Sequence, residues 1–313
     1  MTALRIGTRG SALALWQARA VASVLEAAGA LAELVVISTT GDRRQEVPLS
    51  VEGGKRLFVK ELEDALLGDE IDLAVHSAKD MSAMLPDGLE IAATLPRDDP
   101  RDAVVLREGV RTQDFAGALA HLGDEPSIGT SSIRRIAQLA PLVGRGRFSP
   151  IRGNVDTRLR KLDAGGYDAL VLAAAGMRRL GVGARISAAI PVDVCVPAPG
   201  QGIVAIEIRR GDERTRSLLA PASDGAAAAS LTAERTVVIA LGGGCQLPLG
   251  AIAVHDRGTL RMHGVVATPD GVRTIRREAA GPVSDPAAVG TALADALARA
   301  GALEILDGLR VGD

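Results

Sequence analysis

The sequence predicts an α/β protein followed by a smaller α+β domain. Up to about residue 220, apolar runs of strand length alternate with segments of helical period, the pattern of helices layered on parallel-rich sheets. Beyond it the pattern changes to a helix, three short strand candidates and a last amphipathic helix, which reads as an antiparallel sheet backed by helices. With 313 residues, 47% of them apolar and 24% charged, the chain is long enough to bury more than one core.

Taken in order, 4–8 reads as a strand, 11–28 as a helix stopped by Gly29, 33–38 as a strand, 57–67 as a helix stopped by Gly68, and 71–77 as a strand. Strands follow at 103–107, 127–129, 168–173 and 203–208, with helices near 131–140 and 154–164. The last part offers a helix at 226–241, strands at 250–255, 259–267 and 272–279, and a helix at 286–300. In that helix Val289, Leu293, Leu297 and Ala300 recur at helical spacing. Residues 39–56 show neither period, and a segment of that length is either a lid or a solvated insertion. Arg97-Asp98-Asp99-Pro100-Arg101 and Val196-Pro197-Ala198-Pro199-Gly200 are polar or proline-rich breaks suited to hinges.

Two segments echo each other. Arg5-Ile6-Gly7-Thr8 and Ser127-Ile128-Gly129-Thr130 both lead from a strand into a helix with serine at its start, and Ile71-Asp72-Leu73-Ala74-Val75 is matched by Tyr167-Asp168-Ala169-Leu170-Val171. Either strand-turn-helix units share these residues generically, or one α/β lobe is duplicated and two lobes face each other across a cleft. In the second case each lobe offers a helix N-terminus, whose free N–H groups favour anions, at the carboxyl ends of its strands.

Composition narrows the function. No stretch approaches 18 consecutive apolar residues and the N-terminus lacks a charged segment leading into an apolar one, so a cytoplasmic enzyme or binding protein is expected. Two cysteines and four histidines provide neither a disulfide framework nor metal-ligand spacing. A net charge of −2 and only five aromatic residues argue against a nucleic-acid surface. Of 36 basic residues only Lys55, Lys60, Lys79 and Lys161 are lysines; the arginines suit discrete carboxylate or phosphate sites.

Several residues are candidates for chemistry. Cys245 follows three glycines, which suits a thiol that something large must reach, or simply a flexible loop. Cys195 reads as a packed cysteine. His76-Ser77-Ala78-Lys79-Asp80 leaves an apolar strand where α/β sites are built; Asp80 either faces a cleft or pairs with Lys79. Arg9, Arg134, Arg135 and Arg152 fall at helix starts, and Arg158 lies one turn after the cap Asn154. A cation there is disfavoured by the helix dipole, so the cluster calls for a polyanionic ligand.

These motifs, with Leu15-Trp16-Gln17, Gly53-Gly54-Lys55, Leu57-Phe58-Val59-Lys60-Glu61-Leu62-Glu63, Ser131-Ser132, Gly153-Asn154-Val155, Gly200-Gln201-Gly202 and Gly242-Gly243-Gly244-Cys245-Gln246, run in order from residue 5 to about 250 and resemble the porphobilinogen deaminase, or hydroxymethylbilane synthase, family. The chain departs from that pattern at Met81-Ser82, where Val-Pro is usual, and at Val51, where some members carry a second lid lysine.

The resemblance implies two lobes with mixed sheets, like those of a periplasmic binding protein, and a third domain. The first lobe takes 1–98 with a returning segment at 201–220, the second 99–200, and the C-terminal domain 221–313. It implies that Cys245 carries a dipyrromethane through a thioether, that four porphobilinogen molecules are deaminated and added in turn, and that hydrolysis releases 1-hydroxymethylbilane. No metal or nucleotide is implied, and no nucleic-acid or membrane partner; a monomer is expected. Asp80 is then the catalytic residue, stabilising the cationic methylene-pyrrole left by loss of ammonia. Lys79, Asp80, Thr130, Ser131, Ser132, Arg134, Arg135, Arg152 and Gly153 hold the cofactor. Arg9, Ser11, Gln17, Arg152, Arg158, Arg179 and Gln201 hold the substrate, and Asp42, Lys55 and Phe58 belong to the lid. The rival reading is a non-catalytic bilobal protein that binds a small dicarboxylate; it has no use for Gly-Gly-Gly-Cys and usually needs an export signal.

Overall fold

The structure is a computed structural model that describes residues 3–39, 59–243 and 247–310. The first sheet contains β1 (Leu4–Thr8), β2 (Ala32–Val36), β3 (Leu73–Ser77) and β4 (Leu89–Thr94), and a strand from much later in the chain joins it. Helix α1 (Ala12–Ala27) links β1 to β2, and α2 (Lys60–Leu67) precedes β3. The second sheet is built from β5 (Asp102–Leu106), β6 (Ser127–Gly129), β7 (Arg147–Ser149), β8 (Ala169–Ala173) and β9 (Ala188–Ala189). Helices α3 (Phe115–His121), α4 (Ile133–Leu139), α5 (Val155–Asp163) and α6 (Ala174–Arg179) surround it. The chain then returns as β10 (Val204–Arg209), which lies between β3 and β4.

The strand order is β2-β1-β3-β10-β4 in one sheet and β7-β6-β8-β5-β9 in the other. In each, the first three positions pair in parallel, while the strand entered from the other lobe, β10 or β5, pairs antiparallel with both neighbours. The alternating sequence pattern suggests parallel-rich sheets; these two crossing strands make them mixed. The echoed segments occupy equivalent places. Ile6 and Gly7 register with Leu73 and Ala74, as Ile128 and Gly129 do with Ala169 and Leu170. Asp72 accepts from the Arg5 backbone N–H at 2.7 Å, and Asp168 from that of Ser127 at 2.9 Å. Both glycines sit in close packing: a Cβ at Gly7 would come within 2.2 Å of the Ile71 side chain, and one at Gly129 within 2.5 Å of that of Leu170, so those side chains would have to shift.

The rest of the chain forms α7 (Glu213–Leu219), α8 (Gly225–Ala240), an antiparallel sheet of β11 (Leu249–Asp256), β12 (Thr259–Ala267) and β13 (Thr274–Pro282), then α9 (Pro286–Arg299) and α10 (Ala302–Arg310). Helix α8 ties this sheet to the first lobe. Its Ala233 and Val237 join the core under β11, while Ala227 and Leu231 pack with Ala78, Met81 and Ala205. Strands β4, β7 and β9 and helices α3, α6, α7 and α10 are additions to what the periodicity indicates. The first two are short or alanine-rich, and β9 has only two residues.

Candidate active site

Three predicted features of the first lobe converge where β3 ends. Ser11 caps α1, accepting from the Ala14 N–H at 3.3 Å, and Arg9, Ser11, Gln17, His76, Ser77 and Asp80 line one small cleft. The Gln17 side chain is buried and donates to Ser77 Oγ at 2.8 Å, so it braces the wall of the cleft. His76 is structural, as expected of a lone histidine: it lies 3.1 Å from Glu207, and both are buried. A short 3-10 turn, Ala78–Asp80, then carries Lys79 inward and leaves Asp80 exposed at the cleft.

In the second lobe a buried carboxylate organises the arginines. Asp102, at the start of β5, accepts from Arg134 Nη1 at 2.7 Å, from Arg135 Nε and Nη2 at 3.0 and 2.7 Å, and from Gln201 Nε2 at 2.9 Å. Burial pushes its carboxyl upward, but the two guanidinium groups reverse this and hold it well below the usual carboxylate range. Arg135 also donates to the Val171 carbonyl, so all three of its guanidinium nitrogens are used inside the protein. Arg134 holds Asp102 and the Val196 carbonyl through Nη1 alone. Cys195 packs against this group, and burial pushes its thiol up to about 12, as an inert core cysteine requires.

Lys79 connects the two lobes. Its Nζ lies 3.5 Å from Gln201 Oε1, and Gln201 in turn holds Pro100 and Asp102. Burial lowers its pKa to about 8; Asp80 opposes this, Arg135 and Arg134 add to it, and Asp102 opposes it. The predicted catalytic carboxylate and the predicted arginines therefore act on one ammonium group. Gln201, expected to touch substrate, here bridges the hinge.

The loops expected to bind anions are built as the sequence suggests, with two differences. Ser132 occupies the start of α4 but makes no capping bond through its hydroxyl, and Ser131 instead ties its loop to Ile151 at 3.0 and 3.1 Å. Thr130 steadies the same loop by accepting from the Ser132 N–H. Asn154 caps α5 on Thr157 at 2.9 Å. Gly153, at φ +105° and with a virtual Cβ 2.8 Å from Thr157, admits no side chain, and its carbonyl accepts from Arg158 Nε at 2.8 Å. Arg158 pairs with no carboxylate among the described residues. Burial and then the neighbouring Arg135 and Arg152 lower it to about 10. Such crowding of cations suits a ligand with several carboxylates.

Arg179, at the end of α6, crosses to the first lobe: its Nη2 donates to the Gly202 carbonyl at 2.6 Å and its Nε lies 3.7 Å from Asp98. Nearby, Arg97 binds Glu234 of α8 at 2.6 Å, and buried Glu234 also accepts from the N–H groups of Gly200 and Ala253. Sequence reasoning missed Asp102 and Glu234. A charged residue opening an otherwise apolar strand, Asp102-Ala-Val-Val-Leu, is the signal that could have found the first. Cys245, Asp42, Lys55 and Phe58 lie outside the described residues.

Comparison with known proteins identifies the family. Residues 4–217 match the family model "Porphobilinogen deaminase, dipyromethane cofactor binding domain", and 228–299 match "Porphobilinogen deaminase, C-terminal domain". Among similar proteins, a porphobilinogen deaminase of Thiobacillus denitrificans is 47% identical over 99% of each chain, and one of Acidithiobacillus ferrooxidans 46% identical over 98% of each. A periplasmic substrate-binding protein of an ABC transporter from Coxiella burnetii aligns with 70% of this chain and 91% of its own at 11% identity, with a TM-score of 0.42. The two-lobed architecture rests on this chain's own sheet order and not on that last likeness.

Proposed function

The chain belongs to the porphobilinogen deaminase family, and on that premise we propose that its interlobe site deaminates porphobilinogen, joins four such units head to tail on a dipyrromethane primer, and releases 1-hydroxymethylbilane by hydrolysis. It is a transferase of tetrapyrrole and haem biosynthesis. The rival reading, passive binding of a dicarboxylate, is not favoured by membership of this family. No helix among the described residues is long and apolar enough to cross a membrane. The same reading puts the enzyme in the cytoplasm as a monomer, with porphobilinogen as its partner.

One observation supports the division of labour most strongly: around Lys79, an exposed carboxylate from one lobe meets buried arginines from the other. The residues present fit a dipyrromethane, because each pyrrole bears an acetate and a propionate, and Arg158 has no carboxylate partner among the described residues. When bound, that group supplies a tethered pyrrole carbon on which the chain is extended. Arg134, Arg152, Arg158, Lys79 and the Ser132 hydroxyl hold its carboxylates, while Arg135, Thr130, Ser131 and Gly153 fix the shape of the loops that present them. Arg9, Ser11 and Arg179 take the carboxylates of the incoming porphobilinogen against a wall braced by Gln17, with Gln201 holding the hinge. Asp80 places its carboxylate in the cleft, where it stabilises the methylene-pyrrole cation formed as ammonia leaves. Cys245, a thiol after three glycines, is the attachment point, and Asp42, Lys55 and Phe58 are assigned to the lid.

Intact mass of the denatured protein tests this reading. The wild type should exceed its sequence mass by two porphobilinogen units less two ammonia, and Cys245→Ser should lack the excess, since a hydroxyl is a far weaker nucleophile than a thiolate. An active wild-type chain without modification would overturn the assignment.

A further inference from the structure

We propose that Trp16 is a positioning residue for Arg179, and that its indole face sets the orientation in which this arginine meets a substrate carboxylate. The Arg179 Cζ lies over the Trp16 ring, 5.5 Å from its centroid, and the contact spans the two lobes: Trp16 is on α1 and Arg179 ends α6. The helices meet again one turn earlier, where a Cβ at Gly176 would touch Leu13 at 3.7 Å; a longer side chain there would push them apart. Trp16 is next to Gln17, and Leu13, Ala14 and Gln17 line the same cleft as Asp80.

The arginine is held and yet incompletely used. Its side chain is only 6% exposed, one nitrogen is fixed to the Gly202 carbonyl, and Asp98 at 3.7 Å is too far for a hydrogen bond. The buried Nε–H has no hydrogen-bond partner among the described residues. A buried donor without an acceptor is costly, so this one is suited to an oxygen that arrives with the ligand. Burial lowers the pKa of the guanidinium, with Asp98 opposing. Beside Asp98, the flat face of Trp16 attracts the cation without consuming a donor. Trp16 thereby holds Arg179 flat across the interlobe gap while leaving Nε–H available. An aliphatic residue of similar bulk would fill the space but not orient the cation.

The inference rests on Arg179 contacting substrate, and the experiment separates the two claims. In the holoenzyme, Arg179→Met should raise KM for porphobilinogen; an unchanged KM overturns the reading of Arg179 itself. With Arg179 intact, Trp16→Leu should raise KM about three- to thirtyfold, the range for a partly desolvated cation–π contact, and change kcat by less than about twofold. Trp16→Phe, which keeps a ring face, should recover most of that loss. Adding Trp16→Leu to Arg179→Met should cost nothing further, because the effect of the tryptophan passes through the arginine. Additive losses, or equal behaviour of the Leu and Phe variants, would mean that Trp16 only fills space and would overturn the proposal. Trp16 is the only tryptophan in the chain, so its fluorescence gives an independent readout. Arg179→Met should shift its emission in folded holoenzyme, whereas Arg145→Met, at an exposed surface ion pair, should not. No shift with Arg179→Met would overturn the contact.

Discussion

The two lobes share strand order, strand directions and the register of the echoed Ile-Gly-Thr turn, yet they differ in charge at one equivalent place. In the first lobe Val204, opposite Ser77, is buried among Leu73, Val75 and Ile206. In the second lobe the corresponding position, opposite Ala173, is Asp102, with Arg134 and Arg135 folded onto it. Counted from the shared Ile-Gly-Thr, Ala12 and Leu13 stand where those two arginines stand. The same scaffold thus tolerates either an apolar or an ionic filling. Under the proposed function the difference divides the work in part: the second lobe's ionic group would anchor the cofactor's carboxylates, while the first lobe presents Asp80 and packs Leu13 against Gly176.

The sharpest way to break this comparison is to make the second lobe like the first. Asp102→Val alone leaves two guanidinium groups buried without their carboxylate and should cost about 3–5 kcal/mol, since removing one partner of a buried pair is far worse than removing all of it. Asp102→Val combined with Arg134→Ala and Arg135→Leu should recover most of that stability in urea unfolding while failing to load cofactor. A triple variant as unstable as the single one would show that the lobes are not equivalent at this place.

Of intermediate size is the effect of the carboxylate in the other lobe. Asp80→Asn should lose about 10²–10³ in kcat, by analogy with deletion of one preorganised electrostatic contact. Its melting temperature should hardly move, because the residue is exposed. Asp80→Glu should retain more activity. A folded, loaded Asn variant with near-normal porphobilinogen consumption would remove Asp80 from the chemistry.

The smallest effect should come from the residue between the lobes. Lys79 is depressed from its ordinary value to about 8 in the folded chain, mainly by burial. Between pH 8 and about 10.4 the unfolded chain therefore binds more protons at this site, and stability from Lys79 rises with pH across that window. In the cofactor-free Cys245→Ser protein, the melting temperature measured at pH 7.5 and 9.5 should rise relative to that of the same protein carrying Lys79→Met. An identical pH dependence in both would show that Lys79 is not desolvated in solution.

Much of this was legible locally. Ser11 and Asn154 cap their helices as their positions suggest, and the echo from Arg5 and Ser127 marks two strands in equivalent registers. The links that periodicity cannot reach are long-range. Asp102 finds Arg134 across 32 positions and Gln201 across 99, and no local pattern encodes either pairing. Gln17 and Gln201 show the same limit from the other side. Their place in a motif points to the site, but only the packing shows that one holds Ser77 and the other joins Lys79 to Asp102.

The return of β10 to the first sheet also fixes the order in which the molecule is completed during synthesis. Among the described strands β4 pairs only with β10, whereas every strand of the second sheet lies between Asp102 and Ala189. About 110 residues separate the end of β4 from β10, or roughly 5–20 s at ordinary translation rates. Through that interval both edges of β4 lack a strand partner, the condition in which strands associate with other chains. The lobe made first is therefore finished second, and the lobe that holds Asp102 and its arginines can fold before the one that carries Asp80 is whole.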